Sequence, residues 1–207
     1  MKRFKNILLY AGGEVPPAPA IDRGTALAKA NDARLTLVDV LPEDPTGPWM
    51  TLPGRADLER MLVVARREEL EEMAAPLREL GIAVETRELT GRPFVEIIRE
   101  VQRRGHELVM KTAQGPPGGL GGLLGSTALH LLRKCPCPVW VVKPGMATGG
   151  QVVAAIDPDL EEPTGDSMSR TVLELASSLA RARGLGLEIV HAWKLWSEPM
   201  LRSRRMN

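Results

Sequence analysis

The sequence predicts an α/β protein, a doubly wound sheet of five parallel strands with helices on both faces, followed by a partial β-α-β repeat. Three observations predict it. Five short apolar runs alternate with four amphipathic helical patterns up to residue 142. Runs such as 7–10 and 35–40 are short and nearly continuous in apolar character, as strands covered on both faces are. After residue 145 an apolar run, a helical pattern and a second apolar run follow again in the same order.

Taken in order, residues 7–10 (Ile-Leu-Leu-Tyr) form the first strand and an alanine-rich helix spans 21–30. Residues 35–40 (Leu-Thr-Leu-Val-Asp-Val) form the second strand. A long helix over 57–80 sets Leu58, Met61, Leu62, Ala65, Leu70, Met73 and Leu77 at helical spacing, and Gly81 is its stop signal. Residues 82–89 alternate apolar and polar, which makes the third strand half-exposed. A helix over 92–104 carries Phe94, Ile97, Ile98 and Val101 and ends at Gly105. Residues 108–110 form the fourth strand. After a glycine-rich loop, Leu124, Ala128, Leu131 and Leu132 give the next helix its apolar stripe, and 138–142 is the fifth strand.

The restart is clearest in its helix–strand half. Leu27-Ala-Lys-Ala30 through Leu35-Thr-Leu-Val38 aligns without gaps on Leu179-Ala-Arg-Ala182 through Leu187-Glu-Ile-Val190, and one fixed offset points to duplication. A unit of two strands and one helix cannot enclose a core of its own. The expected organisation is a complete domain over 1–146 and a truncated second one over 151–207, whose tail cations Arg202, Arg204 and Arg205 are solvated.

Composition excludes several function classes. Lys and Arg number 27 against 26 Asp and Glu, so no net charge draws the chain to nucleic acid or an anionic membrane. Aromatic residues make up 3%, too few for base-stacking platforms. The basic opening Met-Lys-Arg-Phe-Lys leads to no cleavage site and no apolar stretch is long enough to span a membrane, so a cytoplasmic protein is expected. Cys135 and Cys137 stand two apart, a spacing that seldom bridges well, and are expected to be reduced. Together with His130 they match no familiar zinc spacing, and no metal site is expected. The run Lys134-Cys-Pro-Cys-Pro138 reads as a helix end with small, half-buried sulfur side chains.

The strongest functional signal follows the fourth strand. Thr112-Ala-Gln-Gly115, a glycine-rich stretch and then Gly125-Ser126-Thr127 place a flexible loop before a helix start. Unpaired N–H groups and the positive end of the helix dipole suit phosphate there, and glycine lets it approach the backbone. The hydroxyls of Ser126 and Thr127 can cap the helix or donate to a phosphate oxygen. Residues 42–54, rich in Pro and Gly and carrying Trp49 and Met50, border the same crevice as a lid or a plain excursion.

The spacing Thr112-x2-Gly115-x9-Gly125-Ser126 resembles the nucleotide loop of universal stress proteins (the UspA family). The runs His130-Leu-Leu-Arg-Lys-Cys-Pro-Cys-Pro-Val-Trp-Val-Val-Lys143, Gly91-Arg-Pro-Phe94 and Gly105-His-Glu-Leu-Val-Met-Lys111 resemble its tandem, E-type branch. The resemblance covers residues 4–144 and, from Gln151, the first third of a second domain. It implies an adenine nucleotide alpha-hydrolase-like fold with strand order 3-2-1-4-5 and a ligand at the carboxyl ends of strands one and four.

Carried over position by position, the resemblance assigns the phosphates to Thr112, Gly115, Gly125, Ser126 and Thr127, with Thr112 standing where the loop has its first glycine. The base side falls to Ala11, at the end of strand one, and to a backbone contact from Val40. The family's adenine-side Asp is replaced by Gly13. Asp157 restores that acid in the second unit, which lacks a glycine loop. Loss of one buried charged hydrogen bond costs about 1.5–3 kcal/mol, roughly ten- to a hundredfold in affinity. ATP, with Mg2+ when bound, is therefore the expected ligand of a weakened site.

Catalysis is not expected. The chain has no Gly-x-Ser-x-Gly elbow, no Walker lysine, and histidines only at 106, 130 and 191. Gly119-x-Gly121 lacks a third glycine and follows the wrong strand for a dinucleotide fingerprint. Lys143-Pro144 is similar to response-regulator receivers, but Ala11-Gly12-Gly13 supplies none of the acids they need. Two roles follow: a stress-response protein that binds ATP or a related nucleotide and acts through dimer and partner contacts, or a nucleotide-independent interaction module. In both, strand 139–142 is an apolar edge expected to pair with a second copy.

Overall fold

Strands β1 (Asn6–Tyr10), β2 (Arg34–Leu41), β3 (Val84–Thr90), β4 (Leu108–Thr112) and β5 (Val139–Val142) form one parallel sheet in the order β3-β2-β1-β4-β5. The computed structural model describes residues 4–13, 15–41, 55–113, 124–145, 150–156 and 163–191. The chain divides into two compact units, 2–145 and 146–207.

In the first unit β1 is central, with Ile7 opposite both Leu35 and Leu108. Alternate residues of each strand serve opposite faces. Ile7, Leu9, Leu35, Leu37 and Met110 pack beneath α1 (Ala18–Asn31) and α2 (Arg55–Glu79), against Ala20, Ala28, Leu70, Ala74 and Leu77. Leu8, Tyr10, Val38, Val40 and Val109 pack on the other face against Ile97 and Val101 of α3 (Pro93–Arg104) and Leu131 of α4 (Gly125–Lys134). The strand order reverses between β1 and β4, whose connections leave to opposite faces. That opens a crevice beyond their carboxyl ends.

Helix ends are closed locally. Asp32 takes a left-handed conformation (φ 53°) after α1, and the Lys5 ammonium donates to the carbonyls of Asn31 (2.6 Å) and Asp32 (3.0 Å). Gly105 closes α3.

Two expectations are corrected. Of the described residues in the apolar stripe assigned to α2, Leu70 and Leu77 are buried, whereas Met61 and Leu62 are exposed. A helix of 25 residues reaches about 37 Å, longer than a strand of eight residues, so its amino-terminal half overshoots the sheet. The fourth strand runs two residues beyond Met110, to Thr112, which pairs with Val142.

The amino end of the sheet carries a buried polar cluster. The Glu100 carboxylate, 1% exposed, lies 3.0 Å from Arg87 Nε and 3.3 Å from Arg104 Nε, and Arg104 also holds Glu85. His106 is buried beside it, and neither ring nitrogen finds a hydrogen-bond partner among the described residues. A cavity of about 580 Å³ lined by Lys5, Lys29, Asp32, Arg34 and Ile82 also opens at this end, away from the crevice.

In the second unit β6 (Gln151–Ile156) and β7 (Gly186–His191) pair in parallel through α5 (Pro163–Arg183). Ile189 and Val190 of β7 stand at the offset seen in sequence from Leu37 and Val38 of β2, and pair with Ala154 and Ala155 of β6 as those pair with Leu9 and Tyr10 of β1. Ala154 and Ala180 are buried, while Val153 and Ile189 are more than half exposed. A single β-α-β unit covers only part of its sheet.

Candidate functional site

The crevice is built from the ends of β1, β2 and β4 and the start of α4. At β1 the ladder runs one residue past the strand, the Ala11 N–H donating to the Val38 carbonyl at 2.8 Å. Gly12 then meets the side chain of Asp39. A Cβ on Gly12 would stand 1.8 Å from Asp39 Oδ1 and 2.9 Å from Tyr10 Cε2, so only glycine fits beneath that carboxylate. Gly13 follows at φ 108°, a conformation an aspartate adopts only with strain.

Asp39 places a carboxylate against Gly12. It lies within the buried run of β2 and is itself buried. Its Oδ1 accepts the Val40 N–H at 2.7 Å and its Oδ2 lies 3.2 Å from Arg66 Nε on α2. Burial, and then the charge of Asp39, push the Tyr10 hydroxyl up to about 12. Tyr10, Asp39 and Arg66 thus form a closed polar group over Gly12. The Val40 N–H is thus engaged by the Asp39 carboxylate.

On the phosphate side Thr112 is the last residue of β4, not a loop residue. It is buried, and its Oγ1 has no partner among the described residues. Lys111 beside it is buried too; its ammonium donates to the Thr112 carbonyl at 2.9 Å, and burial lowers its pKa below the ordinary lysine range. The chain re-enters at Leu124, the residue before α4, and no side chain caps that helix. Among the described residues no side chain is seen to accept from its first N–H groups. Ser126 is exposed and Thr127 half-exposed at that end, next to Gly125. Gly115, and the glycines between it and Leu124, lie outside the described residues, as do Trp49, Met50 and Asp157.

The donor set fits an anion better than a base. At the β4 end the Thr112 hydroxyl has no partner among the described residues, the Lys111 ammonium is held by the Thr112 carbonyl, and α4 starts without a side-chain cap from Leu124. The β1–β2 side is filled by the protein's own carboxylate. His130 stacks on Phe94 with ring centroids 4.3 Å apart, and Lys134 lies 5.5 Å over the same ring. Among the described residues no three His, Cys, Asp or Glu side chains come together. No described helix is long and apolar enough to cross a membrane.

Sequence reasoning missed Asp39, Arg66 and Lys111. The available signal was an isolated charge in an otherwise apolar strand, Asp39 in β2 and Lys111 in β4. A charge kept in such a run is held for a partner or a ligand.

The family model described as the universal stress protein family matches residues 3–143. Universal stress protein E of Escherichia coli K12 is 28% identical over 187 residues, 87% of this chain and 58% of that protein. The chain thus spans well under two thirds of that relative's length. Universal stress protein MJ0531 of Methanocaldococcus jannaschii is 27% identical over 143 residues, 68% of this chain and 82% of that protein. Among solved structures, the functionally unknown protein PA1789 from Pseudomonas aeruginosa PAO1 matches with a TM-score of 0.68 at 22% identity. It covers 99% of this chain, which spans 66% of it. The protein MJ0577 matches with a TM-score of 0.56 at 19% identity, over 69% of this chain and 99% of its own. These structural likenesses concern the fold.

Proposed function

The chain belongs to the universal stress protein family, which supports a stress-response role, and from that premise we propose that it is a non-catalytic protein binding ATP or a related nucleotide weakly at the β4 crevice. The observation that carries this is the start of α4, which has no side-chain cap from Leu124 and carries an exposed Ser126; the buried Thr112 hydroxyl at the end of β4, without a partner among the described residues, supports it. An anion there gains backbone and side-chain donors and the helix dipole together. Affinity is low because the base side is taken by Asp39.

Calorimetric titration with ATP and Mg2+ tests the proposal. Binding in the high-micromolar to millimolar range is expected. Ser126→Ala weakens it about fivefold, the worth of one hydrogen bond of about 1 kcal/mol. Absence of heat at millimolar ATP overturns it.

A nucleotide-independent role is favoured by one observation, the Asp39 carboxylate seated against Gly12. Either role acts through contacts between chains. β5 is an edge of the sheet, with Val139, Trp140 and Val141 half-exposed, and an apolar edge strand is a template for pairing. A homodimer through residues 139–142 is expected by light scattering at micromolar concentration, and a monomeric mass contradicts it.

A further inference from the structure

The only two cysteines of the chain have no part in the crevice, and the fold nevertheless brings them together. Cys135 leaves α4 in an extended conformation (φ −70°, ψ 133°) while its N–H still bonds the Leu131 carbonyl at 2.9 Å. Three residues on, Pro138 is held by its carbonyl, which accepts the Val109 N–H at 3.0 Å beside β5. The stretch between is pinned at both ends, and Pro136 fixes one of its backbone angles. Its two sulfur atoms stand 3.6 Å apart, each half-buried at the border of the core beneath α3 and α4.

We propose that Cys135 and Cys137 form a reversible dithiol–disulfide site that exchanges with low-molecular-weight disulfides of the glutathione class. The sulfurs need to close by about 1.5 Å to reach bonding distance, within reach of small side-chain rotations. The pair is also asymmetric. With Cys137 as the donor of this contact, the Cys135 pKa falls to about 7. That bond and burial push Cys137 up. Arg133 and Lys134 in the last turn offset the negative end of the α4 dipole. Cys135 is the attacking thiolate and Cys137 the resolving thiol.

The exchange balances. The Cys135 thiolate attacks one sulfur of oxidised glutathione, its disulfide breaks, and one glutathione thiolate leaves. Cys137 then loses its proton to solvent and attacks Cys135 Sγ, which displaces the second glutathione thiolate. Two protein thiols are oxidised by two electrons, one small disulfide is reduced, and its two thiols take up the two protons. A ring closed over a single intervening residue is strained, so the bond is readily reduced again and suits a reversible site.

The test uses the full chain, oxidised glutathione, maleimide trapping and intact mass. The two thiols are expected to disappear together with no glutathione retained and to return with dithiothreitol. Cys137→Ser stops at one glutathione on Cys135. In the reduced protein, limiting alkylation labels Cys135 about tenfold faster than Cys137, as thiolate fraction dictates. Two retained glutathiones per wild-type chain, a disulfide between chains, or two thiols still free where Cys137→Ser is glutathionylated each overturn the proposal, as does equal labelling.

Discussion

Replacing Gly12 with valine lowers stability by about 3 kcal/mol or more, read as a reduced urea midpoint at unchanged slope. The added Cβ falls 1.8 Å from Asp39 Oδ1 and 2.8 Å from Asp39 Cγ, with Tyr10 Cε2 at 2.9 Å. The backbone of Gly12 continues from the β1–β2 ladder and has little room to yield. The side chain that can give is Asp39, and it can move only by leaving the Val40 N–H and Arg66. Overpacking costs about 1–3 kcal/mol, and loss of a charge-assisted bond adds about 1.5–3 kcal/mol. The pair is therefore strongly non-additive: Asp39→Ala in the Gly12→Val background recovers at least half of the loss. Wild-type stability for Gly12→Val contradicts the packing of Asp39 over Gly12.

His106 makes the protein acid-sensitive. Burial, reinforced by the charges of Arg34 and Arg104, pushes its pKa down to about 4 from an unfolded value near 6.5, and Glu85 only partly opposes them. Because the folded value is the lower one, the neutral ring contributes full stability above about pH 6.5. That contribution fades as pH falls toward 4 and the unfolded chain takes up the proton first. Between pH 7 and 4.5 the loss amounts to about 2 kcal/mol from this group. Carboxylates titrate in the same window, so the measurement is a comparison with His106→Phe, whose stability falls by about 2 kcal/mol less over that range. Equal losses in the two proteins contradict a buried neutral imidazole.

The sheet was readable because its signal is local. Leu8, Leu37 and Val109 sit in runs whose length and continuous apolar character require cover on both faces. Ile97 and Val101 repeat at a helical spacing that α3 keeps. Periodicity says which face of a helix is apolar, not where the neighbouring sheet ends, and Met61 and Leu62 were misplaced for that reason. Thr112 was taken for a loop residue because a glycine-rich stretch follows it. The ladder to Val142 holds it in the strand instead. Asp39 was the costliest omission. Its role depends on the close approach of Gly12 from one strand and Arg66 from a distant helix, neither of which leaves a trace in the spacing of residues around it. At Gly13 the missing acid was visible in the sequence; the carboxylate that occupies the neighbouring space was not.

On the proposed reading the crevice has an anion-binding side and a self-occupied side. Parallel calorimetric titrations of the full chain with Mg2+–ATP, inorganic triphosphate with Mg2+, and adenosine test it most directly. ATP and triphosphate are expected to bind within about threefold of each other, with adenosine giving no heat, since the contacts reside in Lys111, Thr112 and the start of α4. Binding of adenosine alone, or ATP favoured over triphosphate by more than tenfold, would show that the base side is open and contradict the account.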